Sequence, residues 1–302
     1  MLLDTAALYF RAFHGVPDTV RSPGGQPVNA VRGLLDIIAK LVTEYEPAEL
    51  VACWDDDWRP QWRVALIPSY KAHRVAQESA AGSIEEVPDL LSPQVPVIRE
   101  VLGLLGIPVV GASDHEADDV IGTLASTSRM PVDVVTGDRD LFQLVNDARD
   151  VRVIYTGRGM SNLEVLTDAT LTAKYGIAPE QYADFAAMRG DASDGLPGVA
   201  GVGEKTAVSL LTTYGSLDGI VAAATDPNSS MAPPARAKIL AAADYLAVAP
   251  KVVEVVRDLD LPDFDARIRA STAEQESGLA ELSARWGLGA SLERALKALG
   301  KA

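Results

Sequence analysis

The 302-residue chain is 48% hydrophobic and 23% charged, which excludes a disordered polymer and provides a packed core for one large domain or two small ones. It has no apolar run of the roughly 18 residues that a membrane helix needs, no secretion signal at Met1-Leu-Leu-Asp4, and one cysteine, Cys53, too few for an intrachain disulfide or a cysteine zinc site; a reducing cytoplasm is the expected setting, with no membrane partner. A net charge of −15 argues against a uniformly phosphate-binding surface, so either the partner is not nucleic acid or acids gather at one metal site with bases beside it.

In chain order, Leu2-Leu3 before Asp4 reads as the stub of a strand. Val31, Leu34, Leu35, Ile38, Leu41, Val42 and Tyr45 recur every three or four residues and predict an amphipathic helix. Leu50 to Trp54 is a short apolar run that ends at Asp55, Asp56 and Asp57 and predicts a buried strand. Residues 78–93, rich in small and polar residues, read as a loop. Val97, Ile98, Val101, Leu102 and Leu105 predict a second helix, and Ile107 to Val110 another strand. Val132 to Thr136 is rich in β-branched residues and ends at Gly137-Asp138; Val151 to Tyr155 is also strand-like. Strands alternating with helices predict a mostly parallel α/β sheet, and ligands of such sheets sit at the carboxyl ends of strands, where three strands here carry aspartate. Beyond residue 165 short helices dominate, residues 225–235 read as a loop, Lys251 to Val256 reads as a returning edge strand, and residues 265–302 read as helical.

The acids fall in groups: Asp4; Asp55 to Asp57; Glu116, Asp118 and Asp119; Asp138 and Asp140; Asp191 and Asp194. Each has an ordinary explanation. Ser113 to Glu116 fits a capping box, Asp138 fits an N-cap for a helix over Arg139 to Val145, Asp191 and Asp194 fit turns around Gly195, and Asp55 to Asp57 fit a solvated strand end. Independent caps would not fall so regularly after buried strands or in glycine turns. Carboxylates gathered in this way suit hard divalent cations such as Mg²⁺ or Mn²⁺, and two such ions clamp the oxygens of a phosphoryl displacement. Helical spacing puts Glu116 and Asp119 on one face; Asp118 lies roughly 200° from Glu116 and joins them only if the helix starts near Glu116 and the chain bends there.

The turn Gly198-Val-Ala-Gly201-Val-Gly203-Glu204-Lys205-Thr206 is not a P-loop, because Glu204 separates the last glycine from the lysine and no buried strand precedes it. Thr206 stands where a dinucleotide fingerprint has its third glycine, so no nucleotide cofactor is expected. A helix–hairpin–helix turn fits better: glycines let backbone approach a phosphate that the next helix N-terminus and Lys205 hold, without reading base sequence. A second basic group, Arg59, Arg63, Lys71, His73 and Arg74, is interleaved with Trp58, Trp62 and Tyr70 and is expected to clamp phosphates and stack bases above the Asp55 strand end.

Taken in order, Leu3-Asp4 through Arg11-Ala-Phe13, Val51 to Asp55, Tyr70 to Arg74, Glu116 to Gly122, Thr136 to Asp140 and Gly190 to Thr206 resemble the 5′-nuclease family, which includes the front domain of family A DNA polymerases, stand-alone bacterial 5′–3′ exonucleases and flap endonucleases. The resemblance implies a PIN-like α/β core over residues 1–187 with a helical arch at about 58–100, a helix–hairpin–helix DNA grip over 188–245, and an edge strand with C-terminal helices over 246–302. It implies that Asp4, Asp55, Glu116, Asp118, Asp119, Asp138, Asp140, Asp191 and Asp194 are metal-site acids, settling Asp118, and that Lys71, Arg74 and Arg11 assist catalysis. It also implies that Tyr70, Gly198, Gly201, Gly203, Lys205 and Thr206 contact DNA, and that K⁺ bridges the 198–203 turn to a phosphate. The expected substrates are DNA flaps, nicks and 5′ ends, with RNA-primer hybrids among them, cut by a monomer at the nucleoid. The sequence departs from the pattern in four places: three consecutive aspartates, which leave Asp56 an alternative to Asp55; Phe10 in place of tyrosine; only three residues before Asp4; and a longer, more acidic segment over 75–93. No polymerase domain follows, so the stand-alone form is expected. Two alternatives are a single-strand ribonuclease on a related sheet and a non-catalytic, structure-specific DNA-binding protein.

Overall fold

The computed structural model describes residues 1–79 and 82–301. The chain opens with strand β1 (Leu2–Asp4), helices α1 (Thr5–Gly15) and α2 (Asn29–Tyr45), strand β2 (Val51–Cys53) and helix α3 (Gln61–Leu66). A hairpin of β3 (Val75–Ser79) and β4 (Gly82–Glu85) follows, then α4 (Val95–Leu104), β5 (Val109–Val110), α5 (Ala117–Thr127), β6 (Val132–Thr136), β7 (Val151–Tyr155) and β8 (Glu164–Leu166). The rest is helical: α6 (Asp168–Tyr175), α7 (Tyr182–Arg189), α8 (Glu204–Tyr214), α9 (Leu217–Thr225), α10 (Pro233–Ala241), α11 (Ala243–Leu246), α12 (Ala249–Val253), α13 (Ala273–Trp286) and α14 (Gly289–Ala298).

The six-stranded sheet runs β5-β2-β1-β6-β7-β8, parallel throughout except for β8, as the alternation of strands and helices predicts. Its strands are buried on both faces, and neighbouring residues serve opposite layers. Leu2, Cys53, Val134 and Val153 join the core beneath α5 and α7, whereas Leu3, Ala52, Val135 and Ile154 join the one beneath α1, α2 and α4. This two-sided burial explains why the strands read as continuous apolar runs. The α2 stripe is buried from Val31 to Val42, and α14 covers it.

Several expected elements differ. Lys251 to Val256 is no edge strand: Pro250 starts the short helix α12, which buries Val252 and Val253, and the extended residues after it bond to side chains rather than to a strand. Val255 N–H donates to Gln143 Oε1 at 3.1 Å and Val256 N–H to Asp119 Oδ1 at 2.9 Å. An apolar run of valines fits either conformation, and here tertiary hydrogen bonds decide. The loop expected over 78–93 includes the end of β3 and all of β4, with residues 80 and 81 outside the described residues, and the expected helical arch over 58–100 is mostly not helical among the described residues. The loop expected over 225–235 ends where Pro233 begins α10. The helix expected over Arg139 to Val145 is a 3₁₀ turn at Asp140–Leu144. Among the described residues no single helix is long and apolar enough to cross a membrane.

Candidate active site

The central strands β1, β2 and β6 lie side by side; β1 ends in an acid, and β2 and β6 are each followed by one two residues on. Asp4 closes β1 and caps α1, accepting from Ala7 N–H at 3.2 Å and from Thr136 Oγ1 at 2.6 Å. Burial pushes its carboxyl up to about 7, against those two hydrogen bonds. Asp55, just past β2, accepts from Ala117 N–H at 2.8 Å and is also raised by burial. Asp56 turns elsewhere, against Gly111 and within 3.7 Å of Arg99, so the cleft receives Asp55. Asp138, past β6, accepts from Asp140 N–H at 2.9 Å and so serves as a turn cap as well as lining the cleft.

The helix α5 begins at Ala117, directly after Glu116, which is the condition under which Asp118 reaches the site. Asp118 and Glu116 both line a cleft of about 990 Å³ together with Asp4, Asp55, Asp138, Arg11, Lys71 and Arg74. Burial raises Asp118 well above the carboxylate range, and Asp138 and Asp4 add to it. Asp140, Asp191 and Asp194 extend the acidic field beyond Asp138: Asp140 is raised by burial and then by those three neighbours. Its Oδ1 is buried with no hydrogen-bond partner.

A tight acidic turn carries Asp191 and Asp194. Asp191 pairs with Leu196 in an isolated antiparallel bridge, and Gly195, at φ +70°, has no room for a side chain because a Cβ would stand 2.1 Å from Ser69 O. This close approach docks the turn against the segment after α3. Lys71 N–H donates to Asp194 O at 2.9 Å, Ser69 Oγ to Gly195 O at 2.7 Å, and Arg74 to Ser193 O at 2.7 Å and Asp194 Oδ1 at 3.1 Å.

Cationic side chains hold the acids. Lys71 Nζ bonds to Glu116; burial works against its charge, but Glu116, Tyr70, Asp194 and Asp118 raise it well above its ordinary value. Arg63, 2% exposed, donates to both oxygens of Asp119 at 2.7 Å, to Glu116 at 3.2 Å and to Val252 O at 3.0 Å. Asp119 is therefore not brought to the cleft. Its oxygens also accept from Glu116 N–H and Val256 N–H, and it is wholly buried behind Glu116. This corrects the expectation that it faces a metal. Tyr70 is corrected too: its ring is buried and its hydroxyl donates to Glu116 at 2.7 Å, so it offers no face to a base. Arg59, expected to clamp phosphate, is buried and ties Tyr70 O and Pro68 O together.

Among the described residues no three carboxylate, histidine or cysteine side chains stand close enough to enclose an ion. Asp4, Asp55, Glu116, Asp118 and Asp138 line the cleft, Asp140, Asp191 and Asp194 lie beyond its lining, and Lys71 and Arg63 neutralise Glu116 and Asp119. The donor set nevertheless fits hard divalent cations: it consists of carboxylate oxygens, most of them raised by burial, and one is unpartnered. Buried carboxylates without a counter-charge cost several kcal/mol each, and a cation is the ligand that removes this cost.

The glycine turn lies outside this cleft. Gly198, at φ +66°, packs so closely on Gly190 that a Cβ would stand 2.6 Å from its nitrogen. Gly201, Gly203 and Lys205 are exposed, Thr206 is half-buried, and Gly203 caps the N-terminus of α8. Lys238 from α10 donates to Gly201 O at 2.7 Å. Neither this lysine nor Glu85, which lines the cleft from the hairpin, stands out in the sequence, because neither belongs to a local motif.

Comparison with known proteins agrees with this architecture. Residues 1–176 match the 5′-3′ exonuclease N-terminal resolvase-like domain, and residues 177–276 the 5′-3′ exonuclease C-terminal SAM fold. A 5′-3′ exonuclease of Streptomyces coelicolor is 58% identical over 99% of both chains. One of Mycobacterium tuberculosis is 49% identical over 99% of this chain and 97% of its own. The bacteriophage T5 flap endonuclease, solved as a pseudo-enzyme-product complex with DNA and metal ions, superposes with a TM-score of 0.61 at 14% identity, over 100% of this chain and 99% of that one. At that identity the likeness speaks for the fold. With both family models matched in order and close relatives aligned from end to end, this chain belongs to the 5′-3′ exonuclease family.

Proposed function

We propose that the chain is a metal-dependent, structure-specific 5′ nuclease that hydrolyses phosphodiester bonds near 5′ ends, nicks and flaps of DNA, with RNA-primer hybrids among its substrates. The observation that carries this reading is the row of acids at the carboxyl edge of three adjacent parallel strands, continued by Asp140, Asp191 and Asp194, with basic side chains beside it. Asp4, Asp55, Glu116, Asp118, Asp138, Asp140, Asp191 and Asp194 are the residues that would hold Mg²⁺ or Mn²⁺. Such ions, when bound, stabilise charge on phosphoryl oxygens and make a coordinated water more acidic.

The chain's own groups do the rest. Arg74, half-exposed at the cleft, offers a planar fork to a phosphate. Lys71 adds a fixed positive charge beside Glu116, placed by the turn at Asp194. Arg11 lines the same cleft, and its Nε is buried without a hydrogen-bond partner. Arg63 acts through other residues: it orients Glu116 and takes Asp119 out of the cleft. Outside the cleft, Gly198, Gly201, Gly203, Lys205 and Thr206 form a surface for a duplex phosphate, and Lys238 adds a charge there. A K⁺ ion at this turn would use carbonyls other than that of Gly201, which Lys238 already occupies.

The test is digestion of end-labelled flap, nicked, hybrid and single-stranded substrates with Mg²⁺, Mn²⁺ or EDTA. The reading predicts metal-dependent cuts near the junction on duplex-bearing substrates. Preferential cleavage of unpaired RNA would favour a ribonuclease instead, and binding of flapped DNA without cleavage in either metal would favour a non-catalytic role.

A further inference from the structure

The strand β4 presents its side chains in an unusual order. Ile84 is 50% exposed, while Glu85, next to it, lines the cleft with Asp55, Lys71, Arg74 and Glu116. Neighbouring strand residues point to opposite faces, so a slip by one residue would turn the carboxylate outward and the isoleucine inward. Hydrophobic burial favours that slipped register, and the ladder is irregular between Val75 and Gln77, yet other contacts tie the observed one. Val75 pairs with Glu85, and Glu86 N–H donates to Arg74 O at 2.8 Å. Trp58 Nε1 donates to Ser83 O at 3.0 Å, and Arg59 to Ser83 Oγ at 2.8 Å. A local preference overridden by so many ties points to a functional position.

Burial raises the Glu85 carboxyl, while Arg74 and Lys71 in the same cleft favour its charge and Asp55 and Glu116 oppose it. The turn at Ser193 and Asp194 touches Arg74, and from it the chain leads on to the 198–206 surface. On the nuclease reading, a strand whose duplex part is held at that surface would cross Arg74 and enter the cleft that Lys71 and Glu85 line. Its phosphates beyond the scissile bond would then meet the Glu85 carboxylate.

We propose that Glu85 is a specificity-determining residue, a carboxylate that disfavours substrates with single-stranded backbone beyond the scissile bond and biases the enzyme towards 5′ ends close to the duplex. This inference rests on the nuclease reading above. Substrates with a flush or nicked 5′ end place little backbone against Glu85, whereas a long flap must pass it.

The experiment compares kcat/KM on two substrates with the same duplex, one nicked and one carrying a long 5′ single strand, for the wild type, E85Q and E85D. The E85Q variant should raise the flap-to-nick ratio about tenfold, the scale of one like charge near an incoming phosphate, through a lower KM for the flap and a weaker effect at high salt. The E85D variant should keep the wild-type ratio. An unchanged or lower ratio in E85Q, or an equal loss on both substrates, would overturn the proposal, the second outcome marking Glu85 as a support for the hairpin. Wild-type protein that cuts neither substrate would reject the nuclease reading itself, and this inference with it.

Discussion

Asp140 is buried beside Asp138, Asp191 and Asp194, and one of its oxygens has no partner. A neutral amide of the same shape removes the like-charge repulsion while keeping the volume. Asp140→Asn is therefore expected to melt at a higher temperature than the wild type in EDTA, and to lose cleavage by about 10²–10³-fold or more with Mg²⁺. Thermal melts and a flap-cleavage assay on the same preparation check both halves; full activity in the variant would remove Asp140 from the site. Single residues were only partly legible in the sequence. Asp4, Asp55 and Asp138 follow from their strands, but Asp118 depended on where α5 begins, and the separation of Asp119 from the cleft depended on Arg63, which is 56 positions away. Glu116 keeps part of its ordinary explanation too, since it caps α5 while facing the cleft.

At the scale of elements, Arg63 links α3, the start of α5 and the segment after α12 through one buried guanidinium. Removing it leaves Asp119 buried without its counter-charge. Arg63→Ala should cost about 3–5 kcal/mol of stability, measured by chemical denaturation, and Arg63→Lys should recover only part because it lacks the planar fork. A loss under ~1 kcal/mol, the range of a surface pair, would show that the network is dispensable. Strands with continuous apolar runs and the stripes of α2 and α4 were readable because burial repeats with their geometry. The β3–β4 hairpin was not: it is short, carries Ile84 outward and Glu85 inward, and is set by bonds from Trp58 and Arg59 that no local pattern announces. The valines after α12 were misread for the same reason, since Asp119 and Gln143, far away in sequence, supply the partners of that backbone.

Across the whole molecule, a net charge of −15 coexists with a cleft that Lys71, Arg74 and Arg11 line beside its acids. Raised carboxylates also give the stability a direction with pH. The folded Asp4 holds its proton up to about 7, whereas an unfolded aspartate releases it near 4, so the folded state binds more protons between those values and stability falls as pH rises through that window. The burial-raised Asp118 and Asp140 act in the same sense. Divalent cations bind the deprotonated acids, so the rise in melting temperature on adding Mg²⁺ should be larger at pH 8 than at pH 5. Scanning fluorimetry at both pH values checks this, and an equal or larger rise at pH 5 would contradict it.

The most direct test of the account is Mn²⁺ binding followed by electron paramagnetic resonance on the metal-free protein and on folded Asp4→Asn, Asp138→Asn and Asp194→Asn variants. Acids drawn from the first strand, the sixth and the turn after α7 should act as one set, so saturable binding in the wild type should weaken at least about tenfold in each variant, the scale of a lost ligand or its support. Binding that is absent from the wild type, or equally tight in all three variants, would contradict the claim that these carboxylates share their cations.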